Sequence, residues 1–378
     1  MSQPTYATAR AVASTVQAHF ARHMALARGR GRTDLAPQPD AEAIERIIDA
    51  AFWASLRREE GHTPKISLAF VPPTLAGQPL MFDAHLPLYP AGLAKLAPAV
   101  ERPGIHLGVW REGGELRVWG TTRALPPLCF VIEVVTSGLL VIKHRSESFG
   151  KFVNVAVLEG DEIKIVDESS ASVPDCPGVL KSLLGLDWRA NDAESVNVLV
   201  QLAASMRAHG RGGALLVVPT GSDAWRDSVV SPILYSVHPP FTELTGLLER
   251  EAAEADTYDW QDELRRAVSA MAGLTAVDGA VIISDRYELL AFGAKITRRR
   301  GRVPVERVTV TEPIEGSRTD VLTPALLGGT RHLSAAQFVQ DQPDAIALVA
   351  SQDGRCTVFK WSPHEQTVHA HRVEALLL

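Results

Sequence analysis

An aspartate followed by two residues without bulk, Asp278-Gly279-Ala280, stands directly before the apolar run Val281-Ile282-Ile283. A carboxylate in that place can ligate a metal ion or take a proton. Gly279 and Ala280 leave the backbone open to a flat base or a ribose. A turn ahead of a core strand would use the same residues. The second candidate is Leu327-Gly328-Gly329-Thr330-Arg331-His332-Leu333-Ser334-Ala335. Paired glycines leading into a helix aim free backbone N–H groups at an anion. Arg331 adds a planar donor fork suited to phosphate, and His332 a further donor or, beside an anion, a cation. A glycine turn with Thr330 as N-cap and a solvated Arg331 would explain the segment equally well. A third, weaker signal is the small and hydroxylated residues after two apolar runs, in RGGALLVVPTGSD and in Val349-Ala350-Ser351-Gln352. Open α/β sheets often place ligands after such strands.

The elements around these residues are legible in outline. Residues 5–27 read as a helix, and Asp40 as the N-cap of another that carries Ile44, Ile47, Ile48, Ala51 and Phe52 at helical spacing and stops near Gly61. KISLAFVPP, HLGVWREGG, ELRVWGTT and CFVIEVVTSGLLVIKHR follow as β segments, with hairpins at Gly113-Gly114 and at Glu159-Gly160-Asp161. Beyond Pro174 the texture changes. A helix capped by Asp192 is expected to about His209, with Val196 on its apolar face, then a buried strand in RGGALLVVP. Two helical pieces broken at Pro239-Pro240 come next, then a helix opened by Asp259. VDGAVIIS and its hairpin partner YELLAFGAKI precede an Arg- and Pro-rich stretch to about Ala325, a short helix from LGGTRHLSAAQFVQ, and final strands in AIALVASQ and CTVFKW. The fold class is therefore α/β. An N-terminal helix (1–33) and an α+β domain (34–175) with a largely antiparallel sheet precede a mixed sheet flanked by helices (180–378).

Bulk properties exclude several classes. With 378 residues, 46% hydrophobic and 22% charged, the chain is an ordinary globular one. No run of about 18 apolar residues predicts a membrane span. A net charge of −6 argues against a general nucleic-acid binder. The N-terminal segment is basic and acid-free like a transit peptide, but an amphipathic helix with a basic tail explains it better. Cys129, Cys176 and Cys356 are far apart and odd in number, which suits a reducing cytoplasm rather than disulfides or zinc. Arg298-Arg299-Arg300-Gly301-Arg302 forms a basic block between the two leading motifs. Glu59, Glu60 and His62 read as a solvated helix end, and His364 and His369 have no metal-ligand spacing. Walker A, His-Glu-x-x-His, Cys-x-x-Cys and nucleophile-elbow motifs are absent.

Taken together and in order, the motifs resemble the diadenylate cyclase (DAC) family over roughly residues 180–362. Gly213-Ala214-Leu215-Leu216-Val217 matches its first strand, Asp278 to Ala280 its Asp-Gly-Ala, Gly329-Thr330-Arg331-His332 its Gly-Thr-Arg-His, and Ala350-Ser351-Gln352 its last strand end. The layout also resembles DAC-related nucleotide sensors that carry an added N-terminal domain. The resemblance implies Asp278 as ligand of Mg or Mn and activator of a ribose hydroxyl, with His332 beside it in the catalytic set. It implies Gly279 and Ala280 bordering the nucleotide, and Gly329, Thr330, Arg331 and Ser351 around its phosphates. It further implies an adenine nucleotide, ATP or cyclic di-AMP, as ligand and face-to-face pairing in a homo-oligomer. The family's second arginine is Leu333 here. Losing one charge-assisted phosphate contact costs about 1.5–3 kcal/mol. That substitution shifts the expectation from an active cyclase to a sensor of ATP or a di-adenosine signal. The active cyclase and a structural protein without ligand stay as alternatives.

Overall fold

The computed structural model describes residues 5–58, 61–146, 152–172, 175–184, 198–250 and 258–378. Asp192, Val196, Glu59 and Glu60 lie outside them. The chain divides into two compact units, Met1–Val166 with Leu378, and Asp167–Leu377. Both combine helices with a sheet, largely antiparallel in the first unit and mixed in the second, in keeping with the α/β class expected from the sequence.

In the first unit, helix α1 (Ala7–Gly29) buries Val12, Val16, Phe20 and Met24 at helical spacing. Helix α2 (Ala41–Ser55) begins at Asp40, whose carboxylate accepts from the Ala43 N–H at 2.8 Å and from Arg111 Nη2 at 2.6 Å. Its stripe of Ile44, Ile47 and Ile48 is wholly buried, each side chain contributing about 1.5–3 kcal/mol. Strands β1 (Ile66–Phe70), β2 (Leu80–Pro87), β3 (His106–Glu112), β4 (Glu115–Thr122), β5 (Phe130–Thr136), β6 (Leu139–Arg145), β7 (Phe152–Glu159) and β8 (Glu162–Ile165) form one sheet. Their order is β2-β4-β3-β1-β5-β6-β7-β8, and β1–β3 is its parallel pair. Both expected hairpins are present, β3–β4 across Gly113-Gly114 and β7–β8 across Gly160-Asp161. Two elements had no sequence signal: β2, mostly exposed on an edge, and α3 (Pro90–Val100), short and holding a glycine and an internal proline.

Gly108 on β3 faces the ring of Trp119 on β4, whose Nε1 donates to the Val71 carbonyl at 2.8 Å. A Cβ on Gly108 would overlap that ring, which is buried and tied by its hydrogen bond. Gly108→Ala is expected to cost about 1–3 kcal/mol. Urea unfolding should show a lower midpoint at unchanged slope. An unchanged midpoint would mean that the indole can move aside.

The second unit contains α4 (Gly178–Leu183), α5 (Val198–Ala208), β9 (Gly213–Val218), β10 (Tyr235–Phe241), α6 (Glu243–Glu249), α7 (Tyr258–Leu274), β11 (Ala280–Ser284) and β12 (Leu289–Ala294). After these come β13 (Val308–Thr311), β14 (Asp320–Leu322), α8 (Thr330–Asp341), β15 (Ile346–Ala350), β16 (Cys356–Ser362) and β17 (Thr367–Arg372). The sheet order is β10-β12-β11-β9-β15-β16-β17-β13-β14. Interior to it is the parallel pair β9–β11, with every residue buried, as the uninterrupted apolar runs require. Ala214, Leu216, Val218, Ala280 and Ile282 pack on Ala335, Phe338 and Val339 of α8, while Leu215, Val217, Val281 and Ile283 alternate to the other face.

The two helical pieces expected around Pro239-Pro240 are present, as a 3-10 turn at Ala224–Ser228 and as α6. The prolines are not a bare break, however: they lie within a strand, β10, that the sequence did not announce. β10 is an edge strand, where a residue without an N–H can leave no ladder bond unmade. The Arg- and Pro-rich stretch also contains β13 and β14, of four and three residues, too short for a periodic signal.

Candidate anion-binding cleft

The Asp-Gly-Ala and Gly-Gly-Thr-Arg-His segments line one cleft of about 730 Å³, with Ser351, Gln352, Lys295, Asp353 and Arg355. The sheet explains why. β9 and β11 run parallel and begin at this end, while antiparallel β12 and β15 finish there. Ala280 therefore sits across from Ala214 and Ala294, and Gly213 from Ala350. Four alanines and a glycine on two adjacent strand levels leave a floor of little bulk. The other half of the weak signal, Thr220 to Asp223, lies at the opposite end of β9 and does not line the cleft. There the Thr220 N–H donates to Asp285 at 3.0 Å.

Gly279 and Gly293 make the floor thin. Gly279 has φ +118°, and a Cβ on it would overlap the Gly293 carbonyl carbon. Gly293, at φ +62°, lies under the ring of Tyr235. Asp278 thus stands at the strand's start with its side chain 91% exposed, held by the Lys295 ammonium. The hydrogen bond and charge of Lys295, with a smaller contribution from Arg331, keep the Asp278 carboxyl below the usual carboxylate range. The cation beside Asp278 is therefore a lysine. Mg²⁺ is commonly held by one or two carboxylates plus substrate phosphates, so Asp278 suits it chemically once Lys295 releases the carboxylate.

Across the cleft, Gly329 is the N-cap of α8, with extended backbone and no side-chain cap, and Thr330 is the first helical residue. The first N–H groups of a helix have no partner within it and carry its positive dipole end. Arg331 extends from this turn to Gly212, where a Cβ would come 2.9 Å from its Nη1. It makes no hydrogen bond or ion pair among the described residues, whereas Lys295 is paired with Asp278 and Arg355 with Asp353. His332 points inward beneath the glycines. Its ring occupies the space where a Gly328 Cβ would sit, and its Nε2 lies 3.5 Å from Thr357 Oγ1. Burial pushes its pKa down, so the ring is held neutral. Leu333 is 41% exposed and does not line the cleft.

The basic block is tethered elsewhere. The Arg299 N–H donates to Asp341 at 2.8 Å, the Arg299 side chain pairs with Asp227 at 3.1 Å, and Val305 donates to Gln337 at 2.8 Å. Residues 298–302 do not line the cleft.

Sequence reasoning missed Lys295, Asp353 and Arg355. Two hairpin signals would have found them. The β11–β12 ladder places Lys295 opposite Asp278-Gly279. The Asp353-Gly354 pair between two apolar runs is a turn signal, and the Ser351 N–H indeed donates to the Arg355 carbonyl at 2.8 Å.

Fold and cleft define a two-unit α/β protein whose C-terminal unit carries a ligand-sized cleft with three cations against two carboxylates. Among known families, residues 33–123 match the model described as "Probable sensor domain DACNV". The match covers about a quarter of the chain, all within the N-terminal unit, and supports a sensor role. No curated protein matches the chain. Among the described residues, no helix is long and apolar enough to cross a membrane.

Proposed function

We propose that the cleft binds an adenine nucleotide, ATP or cyclic di-AMP, and that the chain senses it. The carrying observation is Arg331, a guanidinium with no hydrogen bond or ion pair among the described residues, standing at the amino end of α8 over a floor of small residues. A phosphate there takes the helix N–H groups and the fork of Arg331 together. Gly279 and Ala280 border the base or ribose, Gly329, Thr330 and Ser351 complete the phosphate contacts, and neutral His332 holds the Gly328-Gly329 turn in shape. Cytoplasmic residence and pairing into a homo-oligomer belong to the same proposal.

Active cyclisation is the second reading, favoured by the exposed carboxylate of Asp278. Mg or Mn would be held there with the substrate's phosphates and would supply charge neutralisation at the α-phosphate. Lys295 on that carboxylate and the exposed Leu333 favour binding without fast turnover.

In the test, purified chain is melted with ATP and with cyclic di-AMP. Separately it is incubated with ATP and Mg²⁺ or Mn²⁺, and the products are resolved by chromatography. The wild type is expected to gain melting temperature with at least one nucleotide, and Arg331→Ala to bind about 10–100-fold more weakly. Product formed by the wild type and absent with Asp278→Ala would replace sensing by catalysis. If neither nucleotide shifts the melting temperature, the nucleotide reading fails and a purely structural role takes its place.

A further inference from the structure

A second polar cluster lies in the N-terminal unit, outside the residues matched to the sensor family and independent of the cleft. His19 and His23, one helical turn apart on α1, meet His144 near the end of β6. One ring nitrogen from each lies within 4.8 Å of the other two. The rings of His19 and His23 stack at 4.3 Å between centroids, and His144 approaches them at 5.7 and 5.3 Å. Phe20, with Phe130 behind it, makes one side of the group apolar. His19 and His144 are buried, while His23 is half-buried and leaves a way in.

We propose that His19, His23 and His144 form a site for a divalent late first-row metal ion, zinc in the first instance. Residues four apart on a helix share one face, so α1 supplies two ligands on a rigid frame and the sheet supplies the third. His144 Nδ1 lies 3.3 Å from the Arg145 carbonyl, which can only accept, so Nδ1 carries the proton and Nε2 keeps its lone pair. Ligating histidines are commonly oriented by such a bond from the other ring nitrogen. Two nitrogens of a tetrahedral zinc site stand about 3.3 Å apart at the usual bond lengths, so a bound ion would draw the rings together by up to about 1.5 Å. Three protein ligands leave the fourth position to water or a small anion.

Charge decides which ions fit. Helix α1 has no acidic residue, and Arg22 Nη2 lies 3.5 Å from His19 Nδ1. Hard cations that need carboxylate oxygens gain nothing here, whereas Zn²⁺, Co²⁺ and Ni²⁺ bind neutral imidazole well. The Arg22 guanidinium weakens any cation site beside it, so an affinity in the micromolar range is expected rather than a tighter one.

The experiment uses the full chain without a histidine tag, stripped with chelator and titrated with Zn²⁺ by calorimetry and with Co²⁺ by visible absorption. One equivalent of Zn²⁺ should bind and raise the melting temperature, Mg²⁺ should do neither, and Co²⁺ should give the intense bands of a four-coordinate site. His144→Ala should weaken Zn²⁺ binding at least about 100-fold. Should it fold poorly, half-buried His23→Gln serves instead, while His364→Ala should bind as the wild type does. Absence of Zn²⁺ binding, or binding unaltered in both cluster variants, overturns the proposal. Nucleotide binding is read separately, so either result stands without the other.

Discussion

Gly279→Val should unfold the second unit at markedly lower denaturant, by about 3–5 kcal/mol, and take the proposed nucleotide binding with it. Two costs combine. A φ of +118° is a backbone conformation that a β-branched residue almost never adopts, worth about 1–3 kcal/mol. The new Cβ would also overlap backbone atoms of Gly293, which cannot swing aside as a side chain can, and overpacking adds a similar amount. Gly293 cannot retreat either, because Tyr235 covers it and stacks at 4.7 Å on Phe292. Gly301→Val separates the two costs. It has φ +80° but open space around it, so it should lose only the conformational part, about 1–3 kcal/mol. Equal losses in the two variants, measured by urea unfolding, would show that the close approach of β11 and β12 does not exist.

Acid should destabilise both units between about pH 6.5 and pH 4. Burial first, opposed by Glu133 and helped by Lys143, pushes His106 on β3 down to about 4. Burial, with His369 and Lys360, pushes His371 on β17 down to about 3. Each ring is neutral and hydrogen-bonded through Nδ1, His106 with Ser67 Oγ at 2.7 Å and His371 with Thr311 Oγ1 at 2.8 Å. Below pH 6.5 the unfolded chain takes up protons that the folded rings refuse, so stability falls with pH until the folded rings titrate as well. The loss is roughly 3–5 kcal/mol for each ring over its full window. Urea midpoints measured at about pH 7.5 and about pH 5 should differ, and His106→Gln or His371→Gln should flatten the dependence. Equal midpoints at the two pH values would show that the rings are not neutral in the folded chain.

The cleft was legible because its residues break local rules. Gly-Ala after Asp278 and Gly-Gly before Thr330 are wasteful in a strand and a helix unless something approaches closely. Continuous apolar runs likewise announced β9 and β11 as central strands, and Asp40 announced α2 through its cap. What stayed hidden depends on partners distant in sequence. Lys295 is one more lysine until the ladder brings it to Asp278. Pro239-Pro240 reads as a break unless the edge position of β10 is known. His19 and His23 show helical spacing, but nothing local says that His144, on a strand well over a hundred residues later, completes a trio with them.

The placement of the cleft at shared strand ends has a consequence for dissection. Its lining runs from Ala214 on β9 through Asp278, Lys295 and Arg331 to Arg355, and the floor exists only while β12, β11, β9 and β15 lie side by side. Limited proteolysis or a truncation library will therefore not yield a smaller binding module. The least fragment able to keep the proposed ligand site is nearly the entire C-terminal unit, and the proposed binding should vanish in one step as pieces are removed rather than decline by degrees.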